Sequence, residues 1–344
     1  MSRFLVWCAV VSAATLLVVS LVDILGRHRS AAFRHASWLA GLVPLLAAPA
    51  ILARVLLAGA DPIPPTMMDG PSWAVAAPPS ATRLSPLVLV WLAPALVLAL
   101  RSLVGWFLAA RLAARARPLR SAAWGPDAEA SARTLRLRSV PRLAVSDEVA
   151  GPAVVGALRP VVLLPPDVLG APPPVRRAIL DHELAHVARR DILVTRAWAI
   201  ARALHWYNPL AWWGARRLFL AAECACDDVV IRRGMPPREY AAILVATLRG
   251  GRPAEGLGAG FGSAPVVERV RALASRRNRD GLAGRERRML AVAFTTTMVP
   301  AAVAVALAPR ALPRAEVIYL DAETRFTVKS KGDVVTVEGR RTER

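Results

Sequence analysis

Four runs of about twenty apolar residues, set apart by arginine-rich or proline-rich connections, restrict this chain to few folds. At about 1.5 Å of rise per residue, each run is long enough to cross the hydrocarbon of a bilayer as one helix. The first covers 4–25 (FLVWCAVVSAATLLVVSLVDIL) and is apolar as far as Asp23. It reads as a span rather than a signal peptide, because it is long, offers no convincing small-residue cleavage site and precedes further spans. The second covers 38–57, where Pro44 and Pro49 predict kinks and Arg54 can snorkel. The third, 86–108, contains Pro94 and has Arg101 toward its C-terminal side; the fourth, 289–308, contains Pro300.

The connections orient these spans. Arg27, Arg29 and Arg34 lie between the first two, and Arg111, Arg115, Arg117 and Arg120 follow the third. The connection 58–83 instead carries Asp61 and Asp69, many prolines and only Arg83. Positive-inside reasoning places the first and third connections in the cytoplasm and the second outside, in a multi-pass protein of the inner (cytoplasmic) membrane with both termini extracytoplasmic. The expected organisation is three spans within 1–111, a cytoplasmic region 112–287, the fourth span within 288–308 and a short external tail 309–344. The formal net charge of +20 is carried almost wholly by arginine, Lys329 and Lys331 being the only lysines. These arginines sit beside apolar spans without interleaved aromatic platforms, so membrane lipids are the expected anionic partner and direct nucleic-acid binding is not expected. Three cysteines, Cys8, Cys224 and Cys226, make no disulfide framework and suit a reducing compartment.

The cytoplasmic region opens with a stretch to about 138 that mixes arginine with small residues and reads as a helix or a linker. Residues 142–147 and 153–165 read as short strands, with Gly156 and Pro160 near a turn. Such a strand either aligns an extended peptide along its edge or is a plain structural hairpin. Helices are expected over 175–190, 192–205, 209–232, 237–249 and 266–279, with Asn208-Pro209 opening the third. A glycine-rich stretch, 250–265, is either a loop over a site or a linker, and 309–344 suggests a small hairpin with Lys331-Gly332-Asp333 near its turn.

The first of these helices contains Asp181-His182-Glu183-Leu184-Ala185-His186. Two histidines four apart share one helix face, so both imidazoles can reach one metal ion, and Glu183 between them can take a proton from a water held there. This HExxH pattern needs a third protein ligand. Glu223, on the helix 209–232, is the best candidate; Cys224 and Cys226 are rivals, since thiolates also suit zinc. Asp227 lies one turn beyond Glu223 and can accept the second N–H of a liganding histidine. Glu183 is the expected general base. His205 either donates a hydrogen bond to a tetrahedral intermediate or packs its helix end, and Asp191 either caps the next helix or pairs locally.

Taken together, DHELAHVARRD, HWYNPLAWWGARR and ECACDDVV resemble the M56 family of integral-membrane zinc metallopeptidases, which includes the BlaR1/MecR1 antibiotic-sensor transducers. The resemblance covers about 1–308 and is strongest over 181–230. It implies a mainly α integral membrane protein: four transmembrane helices with a cytoplasmic gluzincin-like α+β zinc metallopeptidase domain. It also implies Zn2+ on His182, His186 and Glu223, with Glu183 catalytic and Cys226 and Asp227 closing the ligand motif. Tyr207 stands where the family has phenylalanine. The resemblance further suggests a cytoplasmic protein substrate, such as a BlaI/MecI-like winged-helix repressor or the chain itself, and leaves room for a homodimer. The sensor members' penicillin-binding domain, with its serine-lysine acylation motif, finds no counterpart in the 35 or so residues after the fourth span, so direct β-lactam sensing is not expected. Two other readings stay open: an M48-like housekeeping membrane protease, and a non-catalytic membrane scaffold with a structural zinc.

Overall fold

The computed structural model describes residues 2–58, 86–250, 266–275, 286, 288–292, 295, 316–319, 325–330 and 333–338. The connection 58–83, the glycine-rich stretch and most of the fourth expected span lie outside these residues, apart from a few at their margins. The described part is mostly helical with small sheets. Helices α1 (Ser2–Leu25), α2 (Ala31–Ala58) and α3 (Pro86–Arg115) correspond to the first three apolar runs, each extended beyond the run at one end or both. Among the described residues, two segments are long and apolar enough to cross a membrane, Cys8–Leu25 and Leu89–Arg115.

The second run is the most enclosed of the three. On α2, Trp38, Leu42 and Leu45 are buried against Leu16 and Val19 of α1. They also meet Trp198 and Ala201 of α6 (Asp191–Leu204), and Ala211, Ala215 and Leu218 of α7 (Pro209–Arg232). Residues three and four apart make a stripe on each helix, and the stripes meet in one core. In contrast, Val90, Val97, Leu100 and Phe107 of α3 are largely exposed, as expected for a face turned to lipid.

Charged side chains join these helices as well. Asp23 of α1 is fully buried and accepts from Arg34 Nε of α2 at 2.7 Å and Arg217 Nε of α7 at 2.8 Å. Two guanidinium groups on one buried carboxylate make a network that tolerates no missing member. Nearby, Ser30 Oγ accepts from Phe33 N at the start of α2 and donates to buried Glu286 Oε2 at 2.9 Å.

The region ahead of α5 (Pro173–Arg189) forms a four-stranded sheet in the order β1-β2-β4-β3. Its strands are β1 (Arg117–Pro118), β2 (Arg142–Val145), β3 (Ala153–Val155) and β4 (Val161–Leu164). The expected strand 153–165 is thus a hairpin, turning where Gly156 has φ +85°. A Cβ on Gly156 would lie 2.6 Å from the Arg159 carbonyl oxygen. Two features go beyond the sequence expectation: β1 itself, and the parallel pairing of β2 with β4. Val162 and Leu164 face Trp124 and Ala128 of α4 (Trp124–Thr134) and Leu180 and Leu184 of α5; Leu163 faces Leu112 and Ala116 at the end of α3. The sheet therefore seats α5 on one side and anchors to α3 on the other, leaving β3 as the edge beside α5.

After α7 come α8 (Pro237–Gly250) and α9 (Val266–Ala274), the latter ending short of the expected 279. Strands β5 (Glu316–Tyr319), β6 (Arg325–Ser330) and β7 (Asp333–Glu338) form an antiparallel sheet. Ser330 pairs with Asp333, so the β6–β7 turn falls at the expected place, with β5 as an additional strand.

Gly214 of α7 marks a close helix crossing, since a Cβ there would meet Trp38 Cζ3 at 2.6 Å and Trp198 Cζ2 at 2.9 Å. Alanine favours a helix by about 1 kcal/mol over glycine, yet overpacking against two buried indoles costs about 1–3 kcal/mol. Gly214→Ala is expected to lower the melting temperature of the detergent-solubilised protein; an unchanged or raised melting temperature contradicts this packing.

Candidate metal centre

Helix α5 starts with Pro173, whose missing N–H costs nothing in a first turn, and stops at Arg190, which adopts a left-handed φ of 57°. That turn reverses the chain so sharply that Asp191, the first residue of α6, folds back onto His186. Helix α7 is opened by Asn208, whose side chain accepts from Leu210 N at 3.0 Å, with Pro209 in the first position. Packing of α7 on α5 places Glu223 opposite the two histidines.

His182 and His186 present their Nε2 atoms to each other at 3.3 Å. Glu223 offers one carboxylate oxygen to each ring, Oε2 to His182 Nε2 and Oε1 to His186 Nε2, both at 3.4 Å. The other ring nitrogens face hydrogen-bond acceptors. His186 Nδ1 lies 2.9 Å from Asp191 Oδ2, and His182 Nδ1 lies 3.2 Å from Asp227 Oδ1 and 3.1 Å from Tyr240 Oη. With the Nδ1 protons donated backward, the Nε2 lone pairs point at one another and at a carboxylate. Such a convergence is favourable only around a cation. Tetrahedral zinc with bonds of about 2.0–2.1 Å sets its ligand atoms about 3.3–3.4 Å apart, so the spacing of these groups fits that ion. His182, His186 and Glu223 could hold a metal.

The electrostatics agree with this arrangement. Burial opposes a charge on His182, but the Asp227 and Glu223 carboxylates outweigh it and raise its pKa. Burial likewise opposes a charge on His186, where Cys226, Glu223 and Asp191 outweigh it. Burial would raise the Glu223 carboxyl, yet the two imidazoles and Arg269 hold it well below its ordinary range. Glu183 differs. Buried on the same helix, it is pushed above the usual carboxylate range by burial, against the pull of both histidines. A carboxylate tuned upward is a better proton acceptor near neutrality.

The cysteines do not join the three groups. Cys226 Sγ lies 3.4 Å from His186 Nδ1 and 3.8 Å from Asp191 Oδ2, behind the ring rather than at Nε2. Its burial pushes the thiol up to about 11. Cys224 packs with Ala31, Leu220 and Ala225 on another face of α7.

The structure does not bring His205 to this site. Its buried Nε2 donates to the carbonyl of Leu45 at 2.9 Å. Pro49, four residues beyond Leu45, has no N–H, so the helix itself leaves that carbonyl without a donor. Trp206 Nε1 donates to Trp91 O at 3.0 Å, three residues ahead of Pro94 in α3. Of the two roles open to His205, packing is the one this geometry supports, and the transition-state role is set aside.

Three further residues complete the surroundings. Asp191 is the carboxylate behind His186; it also accepts from Arg189 Nε at 3.1 Å. Tyr240 of α8 donates to Asp227 at 2.9 Å, and Arg269 of α9 reaches Asp227 Oδ1 at 2.5 Å and Glu223 Oε2 at 3.0 Å. Asp191 was visible only as a local cap or pair, while nothing in the local sequence of Tyr240 or Arg269 points to a metal centre.

Comparison with known proteins agrees with these features. The family described as BlaR1 peptidase M56 matches residues 4–273. The regulatory protein BlaR1 of Bacillus licheniformis is 29% identical over 90 residues, which cover 26% of this chain and 15% of that protein's length.

His182→Ala and Glu223→Ala are each expected to reduce zinc, measured by mass spectrometry of the purified protein, from about one ion per chain to background. Cys226→Ser and His205→Ala should keep it, and Asp227→Asn should weaken affinity about 10- to 100-fold. Loss of zinc from Cys226→Ser with retention in Glu223→Ala would reverse the ligand assignment.

Proposed function

The chain belongs to the BlaR1 peptidase M56 family, and from that premise we propose that it is a membrane-bound zinc endopeptidase acting on a cytoplasmic regulatory protein or on itself. The convergence of two imidazoles and a carboxylate beside buried Glu183 carries this reading. The family match sets aside the M48-like alternative.

In the proposed mechanism His182, His186 and Glu223 hold the ion, with Asp227 and Asp191 fixing the two ring tautomers. A zinc ion there supplies Lewis-acid polarisation of the scissile carbonyl and acidifies the attacking water. Glu183 accepts the proton of that water and returns it to the leaving amine. The edge strand β3, which lies against α5, offers unpaired backbone groups along which an extended substrate segment can add as a strand.

The proposed setting is a four-span inner-membrane protein with the peptidase region, 112–287, in the cytoplasm and both termini outside. The ion triad supports this orientation: Arg34, near the basic α1–α2 connection, shares Asp23 with Arg217 of the site-bearing helix α7, so that connection and the site lie on one side. The proposed role is regulatory, a reading supported by the likeness to the Bacillus licheniformis regulatory protein. A winged-helix repressor of the BlaI/MecI kind is the proposed substrate class.

The test is comparative proteomics of new protein N-termini in cells carrying the parent or Glu183→Gln, with zinc content measured in both. The variant is expected to keep its zinc and lose cleavage by about 100-fold or more. Cleavage retained by Glu183→Gln contradicts the mechanism, and absence of any parent-dependent cleavage favours a structural zinc scaffold.

A further inference from the structure

The start of α2 makes more polar contacts than a bilayer-length helix needs. Ser30 engages Glu286, Arg34 engages Asp23, and the next residue, His35, faces the metal centre. His35 is buried, and its Nε2 lies 3.4 Å from Oδ1 of Asp191. Asp191 uses its other oxygen, Oδ2, for His186 Nδ1 and Arg189 Nε. Among the described residues neither Oδ1 nor His35 Nε2 makes a hydrogen bond elsewhere, and both are inaccessible.

Two buried polar atoms facing each other without another partner are best satisfied by bonding together. A small void lined by His35, Asp191, Val194, Thr195 and Phe219 leaves the side chains room to close the gap. We propose that His35 is a positioning residue for the metal centre: from α2 it holds Asp191 Oδ1, and Asp191 in turn fixes the ring of His186. The chain of contact is short, running from α2 through one carboxylate to a metal-binding imidazole. Arg34, its neighbour, is held by the same Asp23 that holds Arg217 of α7. A shift or rotation of α2 therefore acts on Asp191 and on α7 together. Membrane helix and peptidase site are thus joined by side chains as well as by apolar packing.

This inference rests on the zinc-site reading above, and the experiment separates the two. Zinc affinity of the full-length chain in detergent is measured by competition with a chelating dye, and the site is probed independently by the visible spectrum of its cobalt(II) form. The parent is compared with His35→Ala, His35→Asn and His35→Gln, and the melting temperature of each metal-free protein is recorded. A glutamine amide can place an N–H where Nε2 sits; asparagine is too short. Alanine and asparagine are expected to weaken zinc binding about 10-fold and shift the cobalt bands, while glutamine stays within about two-fold of the parent with its spectrum. Should His35→Ala fail to fold, the asparagine–glutamine pair decides, since both keep a polar side chain. Parent-like affinity and spectrum in all variants overturn the role of His35 and leave the zinc site standing. Equal losses in asparagine and glutamine assign the effect to packing and also overturn it. A parent chain that binds no zinc overturns the zinc reading and this inference with it.

Discussion

Two imidazole nitrogens and a carboxylate, mutually within 3.4 Å, make a grouping that positive charge between them stabilises. Much of the surrounding architecture serves to hold that unfavourable grouping in place. Asp191 and Asp227 take the ring protons from behind, while Tyr240 and Arg269 hold Asp227 in turn. Each layer removes freedom from the one inside it, which is how a site on two separate helices keeps its geometry before an ion arrives.

Helix α7 ties this centre to the rest of the molecule. Within it, Gly214 lets two indoles approach, Arg217 reaches the buried Asp23 of α1, and Glu223 and Asp227 serve the histidines. The HWYNP segment before it donates to carbonyls near prolines in α2 and α3. Pro49 leaves the Leu45 carbonyl without its helical donor, and His205 of the following region meets it. Helices α1–α3 and the helices that bear the candidate site are therefore parts of one packed structure.

The legible parts of the site were those governed by helix periodicity. Spacing alone placed His182 and His186 on one face and Asp227 one turn beyond Glu223, and the start of α7 followed from Asn208-Pro209. Glu223 was the best third-ligand candidate in the sequence with Cys226 left as a rival, and the geometry sets that thiol behind His186. Asp191 depends on a left-handed turn at Arg190, a residue with no special tendency to adopt one, so its approach to His186 left no mark in the sequence. Arg269 is one of 45 basic residues and gains its role only from the way α9 packs. His205 serves a carbonyl 160 positions away, a pairing no local pattern encodes. The β2–β4 pairing was hidden for a similar reason, because alternation tells which face a residue takes and not which strand lies beside it.

X-ray absorption at the zinc edge of the purified full-length protein tests the central claim most directly. The account predicts a shell of nitrogen and oxygen neighbours at about 2.0–2.1 Å with imidazole scattering and no sulfur. A sulfur neighbour at about 2.3 Å would bring Cys226 into the shell and contradict the account, as would a protein that retains no zinc at all.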